Sequence, residues 1–313
     1  MASSGSMRTM RHLFVIADTV AIALAERRPV VALETTLVTH GLPHPDGVEA
    51  ALALEAAVRE EGAVPATIGV LDGAIRVGMD SAALERLATS KDTVKLNLGN
   101  LAAQVASGKP GSTTVAATMF AAARVGIEVF ATGGIGGVHR GAAETGDVSA
   151  DMTALGRYPV AVVCAGAKAI LDLPKTVEML ETLGVPVLGY QTDEFPAFYR
   201  RSSGLKVDHR FEDLAAMANA VRAHFALALG TGIVIANPIP VEHELDATIY
   251  ETALATALAE VQAAGARGRD VTPFLLDRMR TLTEGRSVSS NLALLEHNAR
   301  IGARLAAELT REG

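Results

Sequence analysis

A chain of 313 residues, 49% hydrophobic and 20% charged, can bury a sizeable core as one large domain or two ordinary ones. A formal charge of −7 argues against a nucleic-acid partner, because a phosphate backbone demands a basic footprint. No apolar run spans a bilayer without Gly, Pro or charge, and the single cysteine, Cys164, leaves neither a disulfide framework nor a multi-cysteine zinc site.

Residues 1–12 are polar, read as a disordered or tag-like terminus rather than a secretory signal, so a cytoplasmic protein is expected by elimination. From residue 13 the chain reads as a single domain to residue 313. Aromatics make up only 4% and Trp is absent, so Ala, Val, Leu and Ile must fill the core, as in helices laid on a parallel sheet. Strands are predicted over 30–33, 66–70, 94–97, 127–131, 160–164, 187–189 and 232–236. Helical patterns fall between them, over 48–60, 81–88, 113–124, 176–183 and 214–229. From about Glu242 the pattern is wholly helical and ends in a long segment over 289–309. This alternation predicts an α/β fold, a three-layer α/β/α sandwich with a largely parallel central sheet and a helical C-terminal part. Ligands of such sheets sit beyond the carboxyl ends of the strands.

In chain order, Glu34 closes the strand Val30-Val-Ala-Leu-Glu34, placed as a general acid with a raised pKa or as a solvated turn residue. His40 and His44 have the spacing of a helical metal pair, but Gly41, Pro43 and Pro45 forbid a regular helix, leaving an ordered loop. The run Ala131-Thr-Gly-Gly-Ile-Gly-Gly-Val-His-Arg-Gly141 can bring backbone N–H groups to an anion, with Arg140 adding a fork of donors, or can simply turn. Its glycine spacing is not that of a dinucleotide fingerprint, and Pro110 spoils a Walker reading of Gly108-Lys109. Asp147-Val-Ser-Ala-Asp151 offers oxygen ligands for Mn²⁺ or Mg²⁺, and also a helix N-terminus capped by Ser149; the two readings are compatible. Lys168 ends the apolar stretch from Val160; such a lysine either snorkels or carries a lowered pKa suited to Schiff-base chemistry.

Several long segments, in order, resemble the pseudouridine-5′-phosphate glycosidase family. They are Val30-Val-Ala-Leu-Glu-Thr-Thr36 with His40-Gly41, Glu61-Gly-Ala-Val-Pro-Ala-Thr67, Thr113-Thr-Val-Ala-Ala-Thr118, the run from Phe130 to Gly141, that from Val160 to Lys168, Gly189-Tyr-Gln-Thr-Asp-Glu-Phe-Pro196 and Ala236-Asn-Pro238. Together they span nearly the whole chain. The resemblance implies a homotrimer with a divalent metal, usually Mn²⁺, on Asp147. It implies Lys168 as nucleophile, Glu34 as proton donor, and substrate contacts at Lys95, Val115, Ser149, Ala150, Asp151 and Asn291. The chemistry implied opens the ribose ring and lets the lysine amine attack C1′; the aglycone carbon is protonated, the C–C bond breaks and the resulting imine is hydrolysed, reversibly.

One stretch departs from the pattern. After its lysine the family reads like Lys-Val-Ser-Arg-Arg-Asp-Leu, whereas here the run is Lys95-Leu-Asn-Leu-Gly-Asn-Leu101. Losing that charge points to a more apolar aglycone pocket. The sequence reading therefore leans to a C-glycosynthase, as in alnumycin antibiotic biosynthesis, joining ribose 5-phosphate to an aromatic polyketide. Cleavage of pseudouridine 5′-phosphate to uracil and ribose 5-phosphate is the alternative. A non-catalytic sugar-phosphate sensor is disfavoured by the joint presence of Glu34, Asp147 and Lys168, and a nicotinamide dehydrogenase by the missing fingerprint.

Overall fold

The computed structural model describes residues 13–265 and 271–311; the segment 1–12 lies outside them. The strands are β1 (Phe14–Ile16), β2 (Val30–Leu33), β3 (Val64–Leu71), β4 (Ala74–Val77), β5 (Val94–Leu96), β6 (Gly111–Thr113), β7 (Val129–Ala131), β8 (Ala161–Cys164), β9 (Val187–Tyr190), β10 (His209–Phe211) and β11 (Ile233–Ala236). The helices are α1 (Asp18–Ala25), α2 (Asp46–Glu60), α3 (Ser81–Thr89), α4 (Leu101–Ser107), α5 (Val115–Val125), α6 (Ala142–Thr145), α7 (Ala150–Leu155), α8 (Leu173–Thr182), α9 (Leu214–Ala226), α10 (Ala247–Ala264), α11 (Val271–Leu282) and α12 (Arg286–Thr310).

The strands form one sheet in the order β1-β4-β3-β2-β7-β8-β11-β9-β10, with β6 against β3 and β5 against β6. All pairings are parallel except β3 with β4 and β3 with β6. The central strands β2, β8 and β11 are buried at every position, which is why they read as unbroken apolar runs. On one face α12 crosses β2, β7 and β8 and packs against α2 and α9. It rides so close that a Cβ on Gly302 would stand 3.2 Å from the Ala131 methyl. On the other face α5 packs against α7 and over β2, β3 and β7. The expected α/β/α layers, parallel sheet and helical C-terminal part are all present.

The differences are local. Strand β4 returns from β3 through Asp72-Gly73, both at positive φ (53° and 73°), a two-residue hairpin signal that the strand-helix alternation hid. Strands β1, β6 and β10 have three residues each, too few for a period to show. Helix α5 begins at Val115 rather than 113, because Thr113 belongs to β6. Helix α8 begins at Leu173 rather than 176: Asp172 caps it, accepting from the Lys175 N–H at 3.2 Å, and Pro174 fits its first turn.

Candidate active site

The site lies beyond the carboxyl ends of three neighbouring parallel strands, β2, β7 and β8. Glu34 follows β2 directly, and the next two residues fix its direction. The buried Thr35 hydroxyl donates to the Ile68 carbonyl at 2.8 Å and accepts from the Thr113 N–H at 2.9 Å. Thr36 donates to the Thr113 carbonyl at 2.8 Å. These three bonds tie the chain to β3 and β6. From the far side the Thr132 hydroxyl donates to the Glu34 carboxyl. Thr132 is itself held through its carbonyl by Asn298 of α12 at 2.8 Å, and Asn298 accepts from Asn237 at 2.8 Å. Burial pushes the Glu34 pKa up, against the opposing pull of Lys168 and the Thr132 bond. Glu34 thus lines the cavity instead of standing in a solvated turn.

Lys168 is positioned by continued exchange between β7 and β8 past their last strand residues. Thr132 N–H donates to Val163 O (3.0 Å), Ala165 N–H to Gly133 O (2.9 Å), Ile135 N–H to Gly166 O (3.0 Å) and Lys168 N–H to Ile135 O (3.0 Å). Gly166 makes this path feasible: it sits at φ +77°, and a Cβ there would be 1.9 Å from the Pro196 carbonyl oxygen. Three residues thus separate Lys168 from the end of β8, on a loop bonded down at both faces.

The glycine run is a packing device rather than an open anion nest. The Gly136 N–H is taken by the Asp151 carboxylate at 2.8 Å, while Cβ atoms on Gly134 and Gly137 would strike Phe198 and Thr176. Arg140 is exposed and does not line the site. The Gly136 N–H is thus already engaged, and Arg140 stands away from both cavities. Asp151, buried, also accepts from the Ala116 N–H at 2.9 Å and so joins the start of α5 to the glycine loop. Ser149 caps α7, accepting from the Asp151 N–H at 3.2 Å. The helix-terminus reading of this segment is what the chain adopts. The Val115 side chain is buried at the start of α5, behind Thr114 on the cavity wall.

Two chambers meet at Glu34, Thr36, Lys95 and Lys168. One is polar, about 410 Å³, and lined beyond the shared residues by Asn97, Asn100, His139, Asp147, Ser149 and Ala150, with Asp151 at its wall. The other is mostly apolar, enclosed by Leu37, Leu54, Phe198, Leu276 and Leu295, with His40 and Asn291 as polar members. Burial and the positive charge of Lys168 hold Lys95 below the usual lysine range. His139 is likewise held low by burial, although Asp147 beside it pulls the other way.

Residues 19–308 match the family described as indigoidine synthase A like protein. The chain belongs to that family. It is 52% identical over 302 residues to the pseudouridine-5′-phosphate glycosidase of Caldanaerobacter subterraneus subsp. tengcongensis, covering 96% of this chain and 98% of that one. It is 55% identical over 297 residues to the protein of the same name from Methylobacterium nodulans, covering 95% and 88%. Among solved structures it is similar to the prealnumycin C-glycosynthase AlnA in complex with ribulose 5-phosphate, with a TM-score of 0.88, 40% identity and coverage of 95% and 97%. An indigoidine synthase A-like protein from Thermotoga maritima gives a TM-score of 0.86 at 36% identity, covering 96% and 97%.

Within this indigoidine synthase A-like fold, most of the residues singled out in the sequence converge. Glu34, Lys95, Asp147, Ser149, Ala150, Asp151 and Lys168 line one cavity, and Asn291 enters the other from α12. The Leu98-Gly99-Asn100 departure does not line the apolar chamber. Leu98 packs on the core and Gly99 is exposed. Asn100 braces its own loop, accepting from the Asn97 N–H at 2.8 Å and donating to the Lys95 carbonyl at 3.1 Å. The substitution that suggested a changed aglycone pocket sits on the polar side instead. His40, Thr132, His139, Phe198 and Leu276 were missed as site residues. Phe198 carries the one local oddity, φ +62°, held by its N–H bond to the Ala165 carbonyl at 2.9 Å. No sequence signal announces that.

Proposed function

We propose that this protein cleaves, and in reverse forms, the C–C glycosidic bond of pseudouridine 5′-phosphate, giving uracil and ribose 5-phosphate through an imine on Lys168. The carrying observation is the junction of the two chambers, where the Lys168 amine and the Glu34 carboxyl, its pKa raised by desolvation, line the same space. A sugar phosphate suits the polar chamber, with Lys95 and the Ser149–Asp151 turn on its wall; a flat ring suits the apolar one. The Lys168 amine attacks C1′ as the C1′–O4′ bond opens and O4′ leaves as a hydroxyl; Glu34 delivers a proton to the ring carbon, the C1′–C bond breaks to leave uracil and a C1′ imine on Lys168, and water hydrolyses the imine to the aldehyde. Relatives at 52% and 55% identity bear this activity in their name.

The second reading, C-ribosylation of an aromatic polyketide, rests on AlnA at 40% identity and on the apolar lining of the ring chamber. The first is preferred because the identities are higher and the Leu98-Gly99-Asn100 run lies away from that chamber. The comparison is kcat/KM for pseudouridine 5′-phosphate cleavage against ribosylation of naphthoquinone-type acceptors by ribose 5-phosphate. Cleavage dominant by at least 100-fold is expected; acceptor turnover with poor cleavage would reverse the order.

A divalent cation belongs to the same reading. Among the described residues no three His, Cys, Asp or Glu side chains form a metal cluster, so an ion here would take Asp147 and mostly water. That donor set suits Mn²⁺ or Mg²⁺, which keep several waters. The Asp147 carboxylate fits, since it borders the polar chamber with no hydrogen bond from the described residues. When bound, the ion would neutralise charge on a phosphate. Chelation is expected to abolish activity, with Mn²⁺ or Mg²⁺ restoring it and Asp147→Ala weakening metal affinity without unfolding. Full activity in excess chelator would remove the metal from the scheme. The homotrimer is part of the same proposal. No helix among the described residues is long and apolar enough to cross a membrane.

A further inference from the structure

We infer that His40 reads the aglycone: its imidazole supplies a directed hydrogen bond to the ring at the mouth of the apolar chamber. The inference rests on the Lys168 imine reading above. The expectation of an ordered loop at 37–45 underestimates this segment. Leu37–Gly41 makes one π-helical turn, closed by the Leu42 N–H on the Leu37 carbonyl at 3.2 Å. Such turns are often found at functional sites, where the extra residue per turn redirects a side chain. The turn is clamped from outside. A Cβ on Gly47, at the start of α2, would lie 2.7 Å from the Val38 carbonyl oxygen, so α2 seats directly on it.

The ring itself is oriented by one edge. His40 Nδ1 lies 2.5 Å from the Thr39 hydroxyl and 3.3 Å from that of Ser112, and Thr39 and Ser112 are 2.8 Å apart. Ser112 is fully buried in β6, which anchors the pair to the sheet. The opposite ring nitrogen, Nε2, has no hydrogen-bond partner among the described residues. His40 lines the apolar chamber and also an outer cavity bordered by Tyr199, Asp277, Arg280 and Ser287. Away from the junction with the polar chamber, His40 and Asn291 are the polar side chains on a wall otherwise built largely of Leu and Phe. Burial and the charge of Lys95 hold the pKa of His40 below its usual range. A neutral imidazole there can pair with an amide N–H or a carbonyl, according to tautomer.

In a mostly apolar pocket a single directed polar contact discriminates more than its share of the area, because mispairing strands a buried group. His40→Ala is expected to lower kcat/KM for pseudouridine 5′-phosphate by about 5- to 20-fold and to weaken product inhibition by uracil similarly. Borohydride trapping of ribose 5-phosphate on Lys168 involves no ring and should stay within about twofold of the parent enzyme. His40→Gln, which keeps a polar end of similar reach, should recover part of the loss. Unchanged uracil inhibition in both variants would overturn the inference. So would an equal loss of trapping and cleavage, which would mean that the turn merely shapes the site. Failure of the parent enzyme to trap ribose 5-phosphate would instead overturn the imine reading; uracil titration of the parent and His40→Gln then still judges His40.

Discussion

Lys168→Ala is expected to lower kcat for C–C bond cleavage by on the order of 10⁴-fold or more, because the substitution removes the amine that forms the covalent intermediate. Lys168→Arg should be equally inactive. It keeps the positive charge beside Glu34 but offers a guanidinium that does not form the imine. Lys95 is the rival, since it borders both chambers and its amine is held below the ordinary lysine range by burial and by Lys168. Reductive trapping with ribose 5-phosphate separates the two. The adduct is expected on a peptide containing Lys168, and an adduct on Lys95 that persists in Lys168→Ala would exchange their roles. The geometry favours Lys168, whose backbone is fixed to Ile135 and whose loop is shaped by Gly166, next to the carboxyl that must deliver the proton.

Glu34→Gln is expected to cost about 10²- to 10⁴-fold in kcat, the usual contribution of a positioned general acid. The same substitution should stabilise the fold at alkaline pH. Glu34 holds its proton to a higher pH in the folded protein than in the unfolded chain, where a glutamate titrates at about 4.3. Between these two values the native state binds more protons, so stability falls as pH rises through that window. Above it an ionised carboxylate stays buried at a cost; below pH 4 the group is neutral in both states and the difference vanishes. Thermal melting of the two proteins at pH 4 and pH 8 checks this. A higher Tm for Glu34→Gln at pH 8, shrinking at pH 4, is expected, and the reverse order would mean that Lys168 and Lys95 already stabilise the charge. In the parent enzyme activity should fall as pH rises past the Glu34 pKa, since the acid form gives the proton.

Thr132, Asn298 and Asn237 show how far that carboxyl depends on distant parts of the chain. The hydroxyl that meets Glu34 comes from the end of β7, and its backbone is fixed by an asparagine 166 residues later in sequence. Asn298 is fully buried, and its amide bridges α12 to the loops after β7 and β11. A buried asparagine in a helix gives no sequence sign of such a role, because its partner is set by packing.

The fold was legible because its physics is local and repetitive. Fully buried parallel strands such as Val30–Leu33 and Ile233–Ala236 must be unbroken runs of apolar residues, and the helices over them must carry an apolar stripe. The residues at the junction of the two chambers were legible for a related reason. Glu34 and Lys168 each follow an apolar strand, and a parallel sheet gathers such ends on one edge. What sequence could not decide were the features in which distant backbone meets backbone. Tertiary structure turned the glycine run from an anion nest into packing against Phe198 and Thr176, and directed Asp151 to two N–H groups. It also placed Leu98-Gly99-Asn100 beside the polar chamber and folded a proline-flanked loop into the π turn that presents His40. Each depends on which surfaces come within hydrogen-bond or van der Waals reach, a long-range property that no local period of the sequence carries.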